Sequence, residues 1–480
     1  MSVFTDPSNL SHANLLQLFN LQDEQVQEIA ITHKDGTMNV YIILEKQECT
    51  CPACGAKTST IKDYTIKKIL HSLITHIPCR IIYKARRMKC NICSKSFYEP
   101  NPFVYRNMKI STLTVSNVLR DLKNANETFT SVARRYRISD TTVASIFDAH
   151  VSVPRRKLPT YMNIDEVYAF SSNDGDYVCV LVDFETGNTI DLLPSRRSAD
   201  LKKYFNLIPL EEREKVQLVG IDLWHGYRTV VKHCFPNALV VSDRFHVFQE
   251  LHRKIQTVRI NIMNREKPKK VNKPKKNLSI EAYEEYKRRD NNYYLLKKFH
   301  WLLQKDGDSK TWTTDVMGER VETTLLNPNN EKKYNKKLGM YLNYYDINDK
   351  LLAIDDDLKT VMDLKSQFEK FMKETTYEKS KEEIEKLISD FSSSGIKEMI
   401  SFSQTMIRWK NEIMNSLIVL DPKTGQRMNS GIIENRNKVI KQMKHNSNGF
   451  KSWDRFRNRA LYVLNKDATY RLNPFNLKED

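Results

Sequence analysis

The hydrophobic pattern changes period several times along the chain. Residues 1 to 48 hold an amphipathic stretch of helical period, Leu15 to Ile29, and an alternating, strand-like stretch, Met38 to Leu44. Ser111 to His150 returns to helical spacing. After the proline-bounded basic connector Pro154-Arg-Arg-Lys-Leu-Pro159, a domain boundary, the period becomes that of strands: Tyr161 to Phe170, Asp176 to Phe184 and Asn188 to Leu193. Ser-Ser-Asn-Asp-Gly and Glu-Thr-Gly-Asn separate them, which predicts an antiparallel three-strand meander. A helix over Ser198 to Phe205 follows, then a buried strand, Val216 to Leu223, another helix, and a strand from Ala238 to Ser242 that leads into Asp243-Arg-Phe-His-Val247. From residue 251 to about 425 the pattern is mostly helical, with Tyr293 to Leu303 and Lys350 to Ser416 the clearest parts.

Three strands, a helix, a strand, a helix and a strand is the order of a ribonuclease-H-like fold, in which the first and fourth strands lie side by side. The predicted class is therefore multidomain α/β: a mixed five-stranded sheet with helices, interrupted by a helical insertion. The predicted segments are a lead-in (1–48), a cysteine-bearing module (49–100), a helical unit (101–155), the first part of the sheet domain (156–250), the insertion (251–425) and a return to the sheet domain (426–480).

Charge adds the first functional constraint. The 480 residues carry 77 Lys+Arg against 59 Asp+Glu, a net charge of +18, which points to a polyanionic partner, nucleic acid first. With 22 Tyr and 20 Phe, the chain is no disordered basic tail. No secretory leader and no membrane-length apolar run is evident, so the expected compartment is the cytoplasm, where the eight cysteines stay reduced.

Four of those cysteines form two knuckles, Cys51-Pro-Ala-Cys54 and Cys90-Asn-Ile-Cys93. The spacer between them is rich in β-formers and long enough for a hairpin. It can bring two thiolate pairs to one tetrahedral Zn²⁺, a structural site because four thiolates leave no open position. Cys49 and Cys79 lack such partners and read as core or spare ligands. Lys84, Arg86, Arg87 and Lys89 fit either a phosphate contact or a solvated face.

Phe129 to Phe147 has the form of a helix-turn-helix. Val132, Ala133 and Tyr136 face inward on the first helix, Ile138 fills the turn, and Val143, Ile146 and Phe147 face inward on the second. Thr141, Thr142 and Ser145 are left outward where a recognition helix meets base edges, with Arg134, Arg135 and Arg137 placed for phosphates. The same pattern fits a plain αα-hairpin; the basic composition favours DNA.

Three acidic residues stand in apolar surroundings: Asp165 within a strand, Asp222 at the end of another, and Glu434 in Asn429-Ser-Gly-Ile-Ile-Glu-Asn-Arg-Asn-Lys438. A buried carboxylate is costly unless a cation or hydrogen-bond donors answer it. On the helix of Glu434, Ile432, Ile433, Val439, Ile440 and Met443 form one stripe, and Glu434, Lys438, Lys441 and His445 the opposite one. Glu434 and Lys438 also fit a surface ion pair. Lys267 to Lys276 is a basic, proline-broken candidate DNA-contacting loop. Gly449 to Arg459 interleaves aromatics with arginines, which offers Arg455 and Arg457 to DNA, though Trp453, Phe456 and Leu461 also fit a packing face.

Taken together, the two CxxC knuckles, Asn163-Ile-Asp-Glu166, Gly220-Ile-Asp-Leu-Trp224, Asp243-Arg-Phe-His246 and the Glu434 helix resemble the insertion-sequence transposases of the ISL-three family across nearly the whole chain. The resemblance implies Asp165, Asp222 and Glu434 as catalytic acids of a DDE transposase that cleaves DNA and transfers strands. Asp243 is the rival for the second acid, and His246 beside it has no assigned role. One departure is Asn435, where related sequences typically have glycine. Clustered carboxylates repel and take up protons unless cations are present, and hard oxygen ligands select two Mg²⁺ or Mn²⁺ ions about 4 Å apart. The implied partners are terminal inverted repeats, target DNA and further copies of the chain, as a homodimer or higher oligomer on DNA, since transposition joins two ends. Two alternatives are a DNA-binding regulator without catalysis, which the presence of all three acids disfavours, and a nuclease that cuts without joining.

Overall fold

A computed structural model describes Leu16, Phe19 and residues 21–475, except 75–76, 106–107, 173–174, 269–278, 307 and 315–317. The basic loop Lys267 to Lys276 lies almost wholly outside the described residues, as do Leu15, Gln17, Leu18 and Asn20 of the N-terminal amphipathic stretch.

The first sheet starts with β1 (Val26–Lys34) and β2 (Thr37–Leu44), an antiparallel hairpin. Its turn is Asp35-Gly36, both left-handed at φ 51° and 67°, the backbone that a two-residue Asp-Gly hairpin requires. Helix over Leu15 to Ile29 is thus corrected at its C-terminal end: Asp23–Gln25 is a short 3-10 turn and Val26 onward is strand. The strand is mostly exposed, so its apolar positions carry no clean two-residue alternation. Between the knuckles, β3 (Cys49–Thr50) and β4 (Lys57–Thr58) close the first one. Then β5 (Ile61–Ile74) and β6 (Ile77–Lys89) form the expected long hairpin, and β7 (Ser96–Tyr98) follows the second knuckle. Parallel pairing of β2 with β6 completes the sheet.

Three helices come next: α1 (Thr112–Asp121), α2 (Phe129–Tyr136) and α3 (Asp140–His150), capped by the side chains of Ser111, Thr128 and Ser139. Arg137, left-handed at φ 53°, makes the turn between α2 and α3. Val132, Val143 and Phe147 are fully buried there.

The central sheet is β8 (Tyr161–Ser172), β9 (Gly175–Asp183), β10 (Thr189–Leu193), β11 (Leu218–Ile221) and β12 (Leu239–Ser242) in the order β10-β9-β8-β11-β12. β8, β9 and β10 form the antiparallel meander, and β11 runs parallel to both β8 and β12. This is the ribonuclease-H-like order, with the first and fourth strands adjacent. Helices α4 (Ser198–Asn206), α5 (Leu210–Arg213) and α6 (His225–Cys234) make the connections.

Strand alternation divides the core between the two faces of this sheet. Met162, Ile164, Cys179 and Leu181 pack with α4, α6 and the insertion, whereas Val167, Ala169, Val178 and Val180 pack with the C-terminal helices and α1 to α3. The helix-turn-helix therefore shares a core with the sheet, through contacts such as Phe147 against Tyr462 at 6.0 Å between ring centres.

The insertion leaves the sheet on α7 (Arg244–Glu266) and returns on α8 (Ile280–Lys298). It continues through a 3-10 turn, His300–Gln304, to two small hairpins that the helical pattern did not foretell. These are β13 (Lys310–Thr314) with β14 (Arg320–Thr324), and β15 (Lys333–Asn335) with β16 (Met340–Leu342). Helices α9 (Tyr344–Leu352), α10 (Asp356–Glu374), α11 (Ser380–Ser393), α12 (Lys397–Arg408) and α13 (Lys410–Asn415) complete it. A last short hairpin, β17 (Val419–Asp421) with β18 (Gln426–Arg427), leads to α14 (Gly431–Ser447) and α15 (Trp453–Leu464). No helix among the described residues is long and apolar enough to cross a membrane.

Candidate active site

Strand register brings the acids together. Gly220 of β11 pairs with Asn163 of β8, so Asp222, two residues on, stands level with Asp165. Ile221 pairs with Ser242, so Asp243 stands level with Asp222 on the other side. The three aspartates thus sit side by side on parallel neighbours, Asp165 within β8 and Asp222 and Asp243 just past the ends of β11 and β12, and all three line one cavity of about 20 Å³ with His246, Asn429 and Ser430. That is room for about one water-sized occupant. Glu434, exposed on the first turn of α14, lies outside this cavity and accepts a hydrogen bond from Ser430 Oγ at 2.6 Å.

Burial shapes the electrostatics. Asp165 is pushed up to about 7, first by burial, with the charges of Glu166 and Asp222 adding and the Glu166 amide opposing. Asp222 is pushed up to about 6, again by burial first and then by Glu166. Asp243 is raised by burial, while His246 and the Phe245 amide pull it down. Its Oδ2 is buried without a hydrogen bond, 3.6 Å from His246 Nε2. Three half-buried carboxylates whose proton affinity burial raises, one of them with an orphaned oxygen, suit a cation. Among the described residues no three carboxylates come within 4.8 Å of one another; the constellation is open rather than collapsed.

Two asparagines tie the glutamate-bearing helix to the strands. Asn437 Nδ2 donates to Asp165 Oδ2 at 2.7 Å, and Asn163 Nδ2 donates to the Asn429 carbonyl at 2.8 Å. Asn163 reaches it across Gly220, where a Cβ would meet Asn163 Oδ1 at 2.2 Å; only glycine leaves the path open. Sequence reasoning missed both asparagines. The signal was present, because Asn437 falls between Ile433 and Ile440 on the buried face and Asn163 shares the strand face of Asp165. Glu166 points to the opposite face, held by Arg196 at 2.7 Å and by the Tyr227 hydroxyl at 2.8 Å.

The knuckle cysteines form a second cluster. Cys51, Cys54, Cys90 and Cys93 place all four sulfurs within 4.8 Å, with Cys51–Cys93 at 3.6 Å and Cys54–Cys90 at 3.5 Å. A tetrahedral ion with metal–sulfur bonds of about 2.3 Å would set those edges near roughly 3.8 Å, so the spacing fits zinc closely. Backbone amides of Cys93 and Ile92 pull Cys90 down to about 6, making it the readiest thiolate. Cys49 and Cys79 are buried outside the cluster.

The candidate DNA-contacting residues divide. Thr141 and Ser145 are exposed along α3, and Thr142 is half-buried. Arg134 and Arg137 are exposed, and neither makes an ion pair among the described residues. Arg135, by contrast, pairs with Asp121 and Glu127 and ties α2 to α1. Lys438 and Lys441 are exposed on the Glu434 face of α14. Arg455 pairs with Asp148, and Arg457 Nε donates to Asp191 at 2.7 Å, so both arginines fasten α15 to its neighbours.

The sequence matches known protein families. A transposase family profile covers residues 162–460, a helix-turn-helix domain of transposase family ISL3 covers 99–151, and a zinc-finger of transposase IS204/IS1001/IS1096/IS1165 covers 47–93. The chain belongs to the ISL3 family of transposases. It is similar to the transposase for insertion sequence element IS1001 of Bordetella parapertussis, 22% identical over 240 residues. That match covers 48% of this chain and only 56% of the relative's length.

Proposed function

We propose that the chain binds the ends of an insertion sequence and catalyses DNA cleavage and strand transfer at Asp165, Asp222 and Glu434. The observation that carries this reading is the register that sets Asp165 and Asp222 side by side, with the helix of Glu434 tied to Asp165 through Asn437. Two Mg²⁺ or Mn²⁺ ions, when bound, would activate the attacking oxygen and neutralise the leaving one. Asp165, Asp222 and Glu434 would hold the ions, and Lys438 and Lys441 would face the DNA backbone from the helix of Glu434. Water attacks the phosphorus at the element end, the P–O3′ bond breaks, and a 3′-hydroxyl and a 5′-phosphate result. The 3′-hydroxyl then attacks a target phosphodiester, displacing a target 3′-hydroxyl. No covalent protein intermediate is required. Asp243 and His246 flank this centre without an assigned step.

In the same reading, 49–100 is a zinc module held by Cys51, Cys54, Cys90 and Cys93, and 101–155 reads element DNA through Thr141, Thr142 and Ser145. Arg134 and Arg137 supply phosphate contacts. The sheet domain is formed by 156–250 and 426–480, and 251–425 is its insertion. Two copies act together, because two ends must be joined. The test is cleavage of a duplex carrying the element end by the purified protein with Mg²⁺ or Mn²⁺, alongside a gel shift. Metal-dependent cutting at the element boundary is expected. Binding with no cutting in either metal would leave a DNA-binding regulator instead.

A further inference from the structure

The two hairpins of the insertion build a groove of about 740 Å³ whose walls carry aromatic rings and cations. Trp312 on β13 and Tyr334 on β15 are more than half exposed, at 57% and 55%. Large rings left in water on the two hairpins offer a ligand flat apolar faces. Trp312 lies 5.4 Å beneath the Arg320 guanidinium, and Tyr334 lies 5.2 Å from Tyr341. The groove is lined by five cations, Lys298, Arg320, Lys333, Lys336 and Lys337, against one carboxylate, Glu331. Lys337 is engaged by Asp290, but Lys333 and Lys336 make no ion pair among the described residues.

The groove is also close to the acids. Phe299 forms part of its wall, and Gln304, five residues on, lines the cleft that opens beside Asp222, Trp224 and His246. The residues between form a single 3-10 turn, a span of roughly 10 Å at about 2 Å per residue.

We propose that this groove holds a single-stranded stretch of DNA next to the phosphodiester at the acids, with unstacked bases on Trp312 and Tyr334 and phosphates on Lys333 and Lys336. The placement rests on the reading of Asp165 and Asp222 as the cleavage centre. Exposed rings interleaved with cations are the combination that binds unpaired strands, since every base offers a face to stack and every nucleotide a negative charge. A duplex keeps its bases stacked on each other and would use only the lysines.

The test is fluorescence anisotropy of the full chain with labelled oligothymidylate and, separately, with a duplex, in buffer free of divalent metal. Such binding does not depend on the acids, so the cleavage reading can fail while this one stands, and the reverse. For Trp312→Ala with Tyr334→Ala, oligothymidylate affinity should fall by about tenfold or more and duplex affinity by less than about twofold. Trp312→Phe with Tyr334→Phe, which keeps the rings, should restore the single-strand affinity. Lys333→Gln with Lys336→Gln should lower the salt slope of single-strand binding by about 1.4, two phosphates at about 0.7 each. Circular dichroism checks that each variant is folded. Absence of oligothymidylate binding by the wild type overturns the proposal, as does equal loss on both DNAs or unchanged single-strand binding in the alanine variant.

Discussion

At the scale of single residues, the acids explain themselves by their surroundings. Asp165 is raised from 3.8 to about 7 chiefly by burial, so the folded protein keeps a proton that the unfolded chain gives up. The associated stability is present below the unfolded value near 4 and is lost as pH rises through 7. In the metal-free protein, Asp165→Asn should therefore unfold at higher temperature than the wild type at pH 8. The difference should shrink towards zero near pH 4 and amounts to a few kcal/mol at most, at about 1.4 kcal/mol for each tenfold change in proton affinity. Differential scanning calorimetry across that range measures it; a constant difference would contradict it. Asn437 donates to Asp165 Oδ2, so the proposed function has it act through Asp165 rather than on DNA. Asn437→Ala should lower cleavage by about 10²-fold, the cost of an ångström of misplacement, with element-end binding unchanged. Single-turnover cleavage and gel shift separate the two effects, and equal loss of both would assign Asn437 to folding instead. Asp165 and Asp222 were legible in the sequence because a carboxylate interrupts an apolar run. Asn437 was not, because an amide on a helix face carries no such signal until the face is known to be buried.

At the scale of elements, the strands of the central sheet and the helix-turn-helix followed from period alone. Both bury one regular face, and Val132, Val143 and Phe147 lie where the pattern puts them. Elements with little to bury escaped. The β1 strand shows mostly exposed positions, and its one local signal, the Asp35-Gly36 turn, went unread. The insertion hairpins, with Trp312 and Tyr334 in solvent, have no buried alternation to read. The helix-turn-helix carries its own expectation. Arg134 and Arg137 are unpaired among the described residues whereas Arg135 is held by Asp121 and Glu127. Removing the first two together should weaken binding to all duplexes alike and lower the salt slope by about 1.8, two phosphates at about 0.9 each. Salt titration of duplex binding checks it, and a loss confined to one sequence would instead make these arginines base readers.

At the scale of the whole molecule, sequence segments and structural units do not coincide. The helix-turn-helix looks separable along the chain, bounded by Pro154 and Pro159, yet its core continues into α15 and one face of the sheet. Tyr462 donates to the Leu119 carbonyl, and Arg459, almost fully buried, donates to the carbonyls of Asn124 and Glu127. Such long-range contacts leave no local trace in the sequence. A fragment of residues 156–480 should consequently aggregate or lose its cooperative melt, because the removed helices cover Phe456, Leu461 and Tyr462. Gel filtration and circular dichroism decide this, and a monomeric, cooperatively folded fragment would contradict it.

The same sharing of a core places the helix-turn-helix, Asp165 and the Glu434 helix in one framework, and the central claim is that this framework joins DNA. The most direct measurement is strand transfer of a labelled, pre-cleaved element end into a plasmid with Mg²⁺ or Mn²⁺. Wild type is compared with Asp165→Asn, Asp222→Asn, Glu434→Gln and Asp243→Asn, and end binding is measured for each. Joining by the wild type and by Asp243→Asn, with the other three binding the end but not joining it, is the expected result. Joining by Asp222→Asn with none by Asp243→Asn would move the second acid to the neighbouring strand. Joining that survives loss of Asp165 or Glu434 would contradict the account.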